Sequence, residues 1–390
     1  MAYQKSLLRI NLVTEYFYPA NNAPGARFKP LVDELLGSSI DVVIYTSKIS
    51  ANAKEYSIKT NLVSFPSNQR STIIRLTQEL LFGLETFIRL LFSKGDLYYI
   101  TSPSFINCIL AYSYCRLLNK KYILDIRDDY PRVYFDSNLI SEKGIIGKML
   151  SWIEKYIYKH SFILIAATKG LKSNMEKLYN SNSEEIWLLR NGYSEKLFFP
   201  STTKYEEFTL VFHGIISKYQ DIDLLIELGH LIDKRNLPFK IIVVGQGNQD
   251  YKLKGEIPKS INYLGPQPYV NIPEIISKAH IGLSFRQPGK ISEDSFPVKI
   301  YEYIGVSVPV IVTPASEAGN YVEENKIGYQ YDPEQKEMLL EKIIEISKNA
   351  QLYNQLLSNL IKVRGQFSRE KNSQDLVSFI LTKIHNSSIN

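Results

Sequence analysis

The sequence predicts an α/β protein built as two doubly wound, parallel-sheet domains, and three observations carry that expectation. Short apolar runs alternate with helical patterns along almost all of the 390 residues, as strands covered by helices on both faces require. The alternation comes in two sets, separated by a Pro-containing stretch at 197–204. The length also exceeds what one core comfortably organises. The expected Rossmann-like domains are 1–200 and 205–368.

Composition narrows the class. With 44% hydrophobic and 22% charged residues the chain is globular and not disordered. A net charge of +6 permits attraction to anionic lipid or an anionic substrate, but no basic stripe interleaves with aromatics, so nucleic acid is not an expected partner. The two cysteines, Cys108 and Cys115, fall seven apart in one helical segment and suggest neither a disulfide framework nor a metal site; a reducing cytoplasm fits. The start of the chain reads as a first strand and not a signal peptide, and no stretch has the length of a charge-free membrane span.

In the first half, strands are expected at 8–13, 41–46, 61–65, 96–100, 122–126 and 162–167. In the second they are expected at 209–213, 240–244, 261–264, 281–285 and 309–312. The turn after the first strand, Tyr18 to Arg27, contains Gly25, which lets backbone approach a ligand closely, and Arg27, which can face an anion; an ordinary surface loop has the same composition. It is not Gly-x-Gly-x-x-Gly, so no dinucleotide cofactor is expected. The helical segment 71–93 carries an apolar stripe at Ile73, Leu76, Leu80, Leu84, Phe87 and Leu91, widened by Leu81, Ile88 and Phe92, with Arg70, Arg75, Arg89 and Lys94 on its flank. Burial in the domain explains that stripe, and a membrane-surface helix is the competing reading, shared with the basic, aromatic stretch 148–160. Asp125 to Pro131 ends a strand, where open sheets place functional residues but where acids also cap helices.

In the second half, Gly214 follows a strand, and Gly245 and Gly265 each sit in a glycine turn after one. Asp221 and Asp223 form an Asp-x-Asp pair, but the apolar run behind them makes a helix start the better reading than a metal site. The richest stretch is Asp294 to Pro309, which reads as loop, short helix and strand. The helix start offers unpaired amides and a positive dipole end to a phosphate, and Lys299 on the first turn adds a full charge. Glu302 lies one turn further on the same face and is suited to gripping sugar hydroxyls, since a carboxylate accepts two hydrogen bonds in a fixed plane.

Asp294-x7-Glu302 followed by Ser307-Val308-Pro309-Val310-Ile311 resembles the Glu-x7-Glu and Gly-x-Pro-Val-Ile of retaining GT-B glycosyltransferases of family 4, also called glycosyltransferase group 1. Pro297-x-Lys299-x-x-Glu302-Tyr303 is similar to the branch that makes O-antigen and capsule sugars, including fucosamine-type transferases. The resemblance implies the GT-B fold, two Rossmann-like domains facing across a cleft, with a C-terminal helix at 370–390 packing back on the first. It implies that Glu302 holds the nucleotide ribose, the amides around Phe296 and Val298 the diphosphate, and Asp294 the transferred sugar. It also implies that Gly25 and Arg27 line the donor side and that Gly245 and Gly265 face the nucleotide. Gly214 opens the loop where the family places an arginine and a lysine for the diphosphate; here Ile215 and Gln220 stand at those positions, and Lys218, two residues early, is the substitute. Arg127-Asp128-x-x-Pro131 matches the branch's Arg-Asp-x-x-Pro and makes Asp128 the group that orients or deprotonates the acceptor hydroxyl.

The expected activity is transfer from a nucleoside-diphosphate sugar, UDP-sugar favoured, with retention of configuration and without a metal or other cofactor. The acceptor is a glycan or polyprenyl-linked saccharide of surface-polysaccharide synthesis, reached by a cytoplasmic enzyme, peripheral on an anionic membrane surface. A sugar-nucleotide epimerase of the same architecture and a non-catalytic sugar-nucleotide-binding partner of a membrane complex are the alternatives.

Overall fold

The computed structural model describes residues 8–18, 23–48, 54–65, 72–102, 104–136, 139–179, 186–293 and 295–389. The chain divides into two units, Met1–Arg190 with Asn372–Asn390, and Asn191–Lys371.

The first unit is a parallel sheet of β1 (Arg9–Val13), β2 (Asp41–Ser47), β3 (Ser57–Asn61), β4 (Leu97–Thr101), β5 (Lys121–Ile126), β6 (Ile163–Ala166) and β7 (Ile186–Leu188). Its order is β3-β2-β1-β4-β5-β6-β7, so the direction of winding reverses between β1 and β4. β4 is buried along its whole length, as a strand covered on both faces must be. One core face gathers Ile10, Leu12, Ile44 and Tyr99, joined by Leu376, Val377 and Ile380 from the C-terminal helix Arg369–Ile389, whose Phe379 stacks on Trp187 at 4.5 Å. Both cysteines are buried as free thiols.

The strand expected at 61–65 forms instead at Ser57–Asn61. As an edge strand it is mostly open to solvent and carries polar residues, so its apolar signal is weak. β7 goes unpredicted because three residues establish no alternation.

Helix Thr72–Leu91 corrects the burial reading of its stripe in part, for Leu76 and Phe87 pack half-buried against core clusters but other members do not. Leu80, Leu84 and Leu91 are exposed, together with Ile74, Leu81 and Ile88, all between 40% and 55%. The buried face carries Glu79, Phe82, Gly83, Thr86 and Leu90. Polar residues can turn inward because each meets a partner: Asn61 donates to Thr86 Oγ1 at 2.7 Å, and Ser104 Oγ lies 3.4 Å from Glu79. At Gly83 an added Cβ would stand 2.8 Å from Leu110, so the glycine lets helix Phe105–Leu117 approach closely. No helix of the described residues is long and apolar enough to cross a membrane.

The second unit is a parallel sheet of β8 (Phe208–His213), β9 (Phe239–Val244), β10 (Ile261–Gly265), β11 (Ile281–Phe285), β12 (Val310–Thr313) and β13 (Gly328–Gln330). Its order is β10-β9-β8-β11-β12-β13, with the reversal between β8 and β11. β8 pairs with β9 along its whole length but with β11 only at Leu210 and Val211, so the two central strands part toward their carboxyl ends. Open α/β sheets bind ligands at such a reversal. β13, again three residues long, is the other strand that the sequence pattern misses.

Candidate functional site

Three loops meet at the carboxyl ends of β8, β9 and β10. Gly214 donates its N–H to Val244 O, and Gly245 donates to Gly265 O, each at 2.9 Å. Gly245 has φ +139°, and a Cβ there would overlap the carbonyl oxygen of Gly214. The glycine is therefore what allows the β8 and β9 loops to touch. Gly214 itself has φ +121°, and the space its side chain would fill faces Lys299, whose Cε would lie 3.6 Å away.

The fourth contributor is helix Val298–Gly305, introduced by Pro297 in extended conformation. Its first turn leaves amides without intrahelical acceptors. Lys299 and Glu302 share one face, as their spacing requires, and both are buried. Lys299 Nζ lies 3.6 Å from the centre of the Phe212 ring and donates to Gln220 Oε1 at 3.0 Å. Burial, with Arg286 nearby, lowers its pKa to about 7 despite the opposing pull of Glu302. Glu302 accepts from the Tyr269 hydroxyl at 2.8 Å. Burial raises its pKa, and Arg369 opposes the shift. His213 Nε2 lies 3.5 Å from Glu302 Oε2 but has no hydrogen-bond partner among the described residues. Burial, and secondarily Lys299, pushes this imidazole down to about 3, so it faces Glu302 neutral and the two form no ion pair.

The helix is held from below. Tyr303 donates its hydroxyl to Val211 O at 2.9 Å and sits 3.3 Å from Leu283 O, placing the phenol where β8 and β11 part. Gly282 makes room for the ring, since a Cβ there would lie 2.6 Å from it. Phe296 stacks on Tyr301 at 4.3 Å in the core, so its side chain is structural. Ser307 adopts φ +56°, a left-handed conformation that explains the glycine preferred at this point of the resembling motif.

Other residues singled out by the sequence fall as follows. Lys218 is exposed with its ammonium 5.3 Å from the Tyr219 ring. Val298 is half-buried at the helix start and Gly265 is left-handed at φ +66°. Asp294 lies outside the described residues. Asp221 caps helix Ile222–Lys234 by accepting from Leu224 N at 3.0 Å, and Asp223 pairs with Lys252 at 2.7 Å, which is the helix-start arrangement. His213, Tyr269, Arg286 and Arg369 were missed, since they come from four separate places in the chain, the end of β8, the turn after β10, the end of β11 and the start of the C-terminal helix, and only folding gathers them.

In the first unit, Gly25 is buried in the first turn of helix Ala23–Gly37. Arg27 is not turned to an open anion site. Its fork grips Asp125 at 2.8 and 3.1 Å and Nη1 donates to Leu189 O at 2.9 Å, with 3% of the side chain exposed. The strand-end acid Asp125, which also accepts from Tyr99 at 2.9 Å, captured it. Asp128 is exposed just beyond β5. Its neighbour Arg127 donates to the buried Glu15 at 3.1 Å, and burial raises Glu15 to about 7 against the pull of Arg127. Glu79, likewise raised by burial, pairs with Arg75 at 3.0 Å. Glu15 and Glu79 were not singled out from sequence; an acid directly after a first strand was the available signal for Glu15.

Residues 194–363, within the second unit, match the family model described as Glycosyl transferases group 1. No curated protein matches the chain in sequence. Among solved structures the chain is similar to sucrose-phosphate synthase from Thermosynechococcus elongatus, with a TM-score of 0.74 at 13% identity over 97% of this chain and 100% of that one. It is similar to Anabaena HepE in complex with UDP-glucose, at 0.69 and 13% over 96% and 100%. It is also similar to WaaG, a glycosyltransferase involved in lipopolysaccharide biosynthesis, at 0.63 and 15% over 94% and 99%. At such identities the likeness is one of fold: the two Rossmann-like units are those of GT-B glycosyltransferases.

Proposed function

We propose that the protein is a glycosyltransferase that takes a nucleoside-diphosphate sugar, a UDP-sugar first among candidates, and transfers the sugar with retention and without a catalytic metal. The observation that carries this is the buried Lys299/Glu302 face at the winding reversal of the second sheet, inside the matched segment. Lys299 and the first amides of its helix stabilise charge developing on the leaving diphosphate. Glu302, once the Tyr269 hydroxyl gives way or shares it, accepts from ribose hydroxyls. Asp294 contacts the transferred sugar, and Asp128, exposed beyond β5, orients or deprotonates the acceptor hydroxyl. The acceptor is a glycan or a polyprenyl-linked saccharide in surface-polysaccharide synthesis, and HepE bound to UDP-glucose supports the donor class by analogy of fold.

The proposal extends to a peripheral position on an anionic membrane. Ile145, Ile146, Met149 and Trp152 are exposed on helix Ile145–Lys159, beside exposed Lys148, Lys155 and Lys159, and the outer stripe of helix Thr72–Leu91 is apolar. An apolar face with Trp and flanking lysines suits the headgroup boundary.

The test is incubation with a panel of UDP-, GDP- and dTDP-sugars, following thermal shift and then the anomeric configuration of any product, with and without EDTA. Conversion of the donor sugar without an acceptor would establish the epimerase reading instead, and binding without turnover the non-catalytic one. Loss of activity in EDTA, restored by Mg²⁺ or Mn²⁺, would refute metal independence.

A further inference from the structure

We infer that Arg286, at the end of β11, supplies the diphosphate-binding cation that the loop after β8 lacks. This deepens the donor-site reading above and rests on it.

The starting point is Gln220. It stands where a lysine would be expected, and it carries no charge. Its side chain accepts from Lys299 Nζ, while its backbone forms an isolated antiparallel bridge with Arg286. One residue thus sets both cations around a single point of the β8 loop. The loop itself is pinned there: Asp221 N donates to Phe285 O at 3.2 Å and Gln287 N to Tyr219 O at 3.1 Å. Arg286 N donates to Thr313 O at 2.9 Å, so the residue's backbone is fixed between β8 and β12 at the winding reversal.

The guanidinium is held but not consumed. Nε lies 3.3 Å from Ser292 Oγ, whose own hydroxyl donates to Gln287 O at 2.7 Å. The two terminal nitrogens make no hydrogen bond to any described residue. A planar pair of donors, half-buried and held at its root, matches two oxygens of a phosphate as a lysine cannot.

Electrostatics point the same way. Arg286 is close enough to help lower the pKa of Lys299, and burial lowers that of Arg286 itself. Two cations gathered at the ends of parallel strands are unfavourable alone and favourable around an anion. Gly214 faces Lys299 from the opposite loop without a side chain, leaving the approach to Lys299 unobstructed on that side. Lys218, exposed and lying by Tyr219, need not reach in.

The test is calorimetry with whichever of UDP, GDP and dTDP the wild-type protein binds, alongside its parent nucleoside. Arg286→Met is expected to weaken the diphosphate roughly tenfold to a hundredfold, about the range for losing one hydrogen bond to a charged group, while nucleoside affinity stays unchanged. Arg286→Lys, retaining charge without the fork, should fall between. Adding Gln220→Lys to the Met variant should recover affinity, by placing a cation back on the β8 loop. Diphosphate affinity unchanged in Arg286→Met overturns the assignment and leaves the donor reading standing. A parallel loss for nucleoside and diphosphate overturns it as well, by showing a general disturbance. If the wild-type protein binds none of the three nucleotides, both fall.

Discussion

The two sheets end in opposite electrostatic states. Around the carboxyl edge of the first, three arginines are paired with acids: Arg27 with Asp125, Arg127 with Glu15 and Arg75 with Glu79. At the edge of the second, Lys299 leans on an amide and an aromatic ring, Arg286 on a hydroxyl, and Glu302 takes a phenol. The first edge is internally neutralised and suits a ligand that brings hydroxyls. The second holds Lys299 and Arg286 with no acid in contact among the described residues, and suits a ligand that brings charge.

The largest expected effect breaks the second edge at its carboxylate. Glu302→Ala should abolish measurable nucleotide binding in calorimetry, at about 1.5–3 kcal/mol for each hydrogen bond lost to the charged group. Glu302 is buried and bonded to Tyr269, so a modest fall in melting temperature accompanies the loss, with the fold retained by circular dichroism. Unchanged affinity would remove Glu302 from the donor site.

The next effect is read against pH. Lys299 must be charged to hold a diphosphate, so affinity should decline as pH rises through about 7, with proton uptake on binding seen as a dependence on buffer ionisation enthalpy. Among the described residues, Arg286, Glu302 and His213 are the charged or titratable groups around it; His213 stays neutral over this range. Without ligand the sign reverses. The unfolded chain binds the proton more tightly, so this lysine's contribution to stability grows from pH 7 to about 10.5. Glu15 gives the opposite slope: its folded pKa is raised, so its stabilising contribution falls from pH 4.5 to about 7. Denaturant melts of Lys299→Met and Glu15→Gln against wild type should flatten these two windows separately. A single common window would show that the edges are not electrostatically distinct.

The smallest expected effect concerns the first unit's outer face. Binding to phosphatidylglycerol liposomes at low salt should weaken when Lys148, Lys155 and Lys159 become Glu, by about 1 kcal/mol for each lysine at the surface. Arg75→Glu and Arg89→Glu should do less, because Glu79 and Glu85 already neutralise them. Sedimentation indifferent to lipid charge and to all five changes would rule the face out.

The sequence carried the two-sheet architecture well where strands are buried on both faces, as in β4 and β11, because a short unbroken apolar run between turns fits a strand covered on both sides. It failed at the edges. β3 is polar and solvent-facing, β7 and β13 have three residues each, and none offers a periodic signal. Helix Thr72–Leu91 shows a deeper limit: Leu80, Leu84 and Leu91 of its apolar stripe point outward, while Glu79 and Thr86 find partners inside that no local pattern reveals. The Lys299/Glu302 face was legible because both residues sit on one short helix. Arg286, His213 and Tyr269 were not, because they arrive from three separate segments of the chain. Arg27 was misread because its partner, Asp125, lies 98 residues away.

The phenol of Tyr303 acts as a datum mark for the second unit. It is lodged where two strands diverge and touches a carbonyl of each, so the helix behind it has no freedom to slide or roll. Adjacent Glu302 inherits that fixity. Adaptation to a new sugar or base therefore has little to gain from moving this helix and must work through the loops that face it. A Tyr303→Phe change would release the mark while keeping the ring, converting a fixed reference into a movable one.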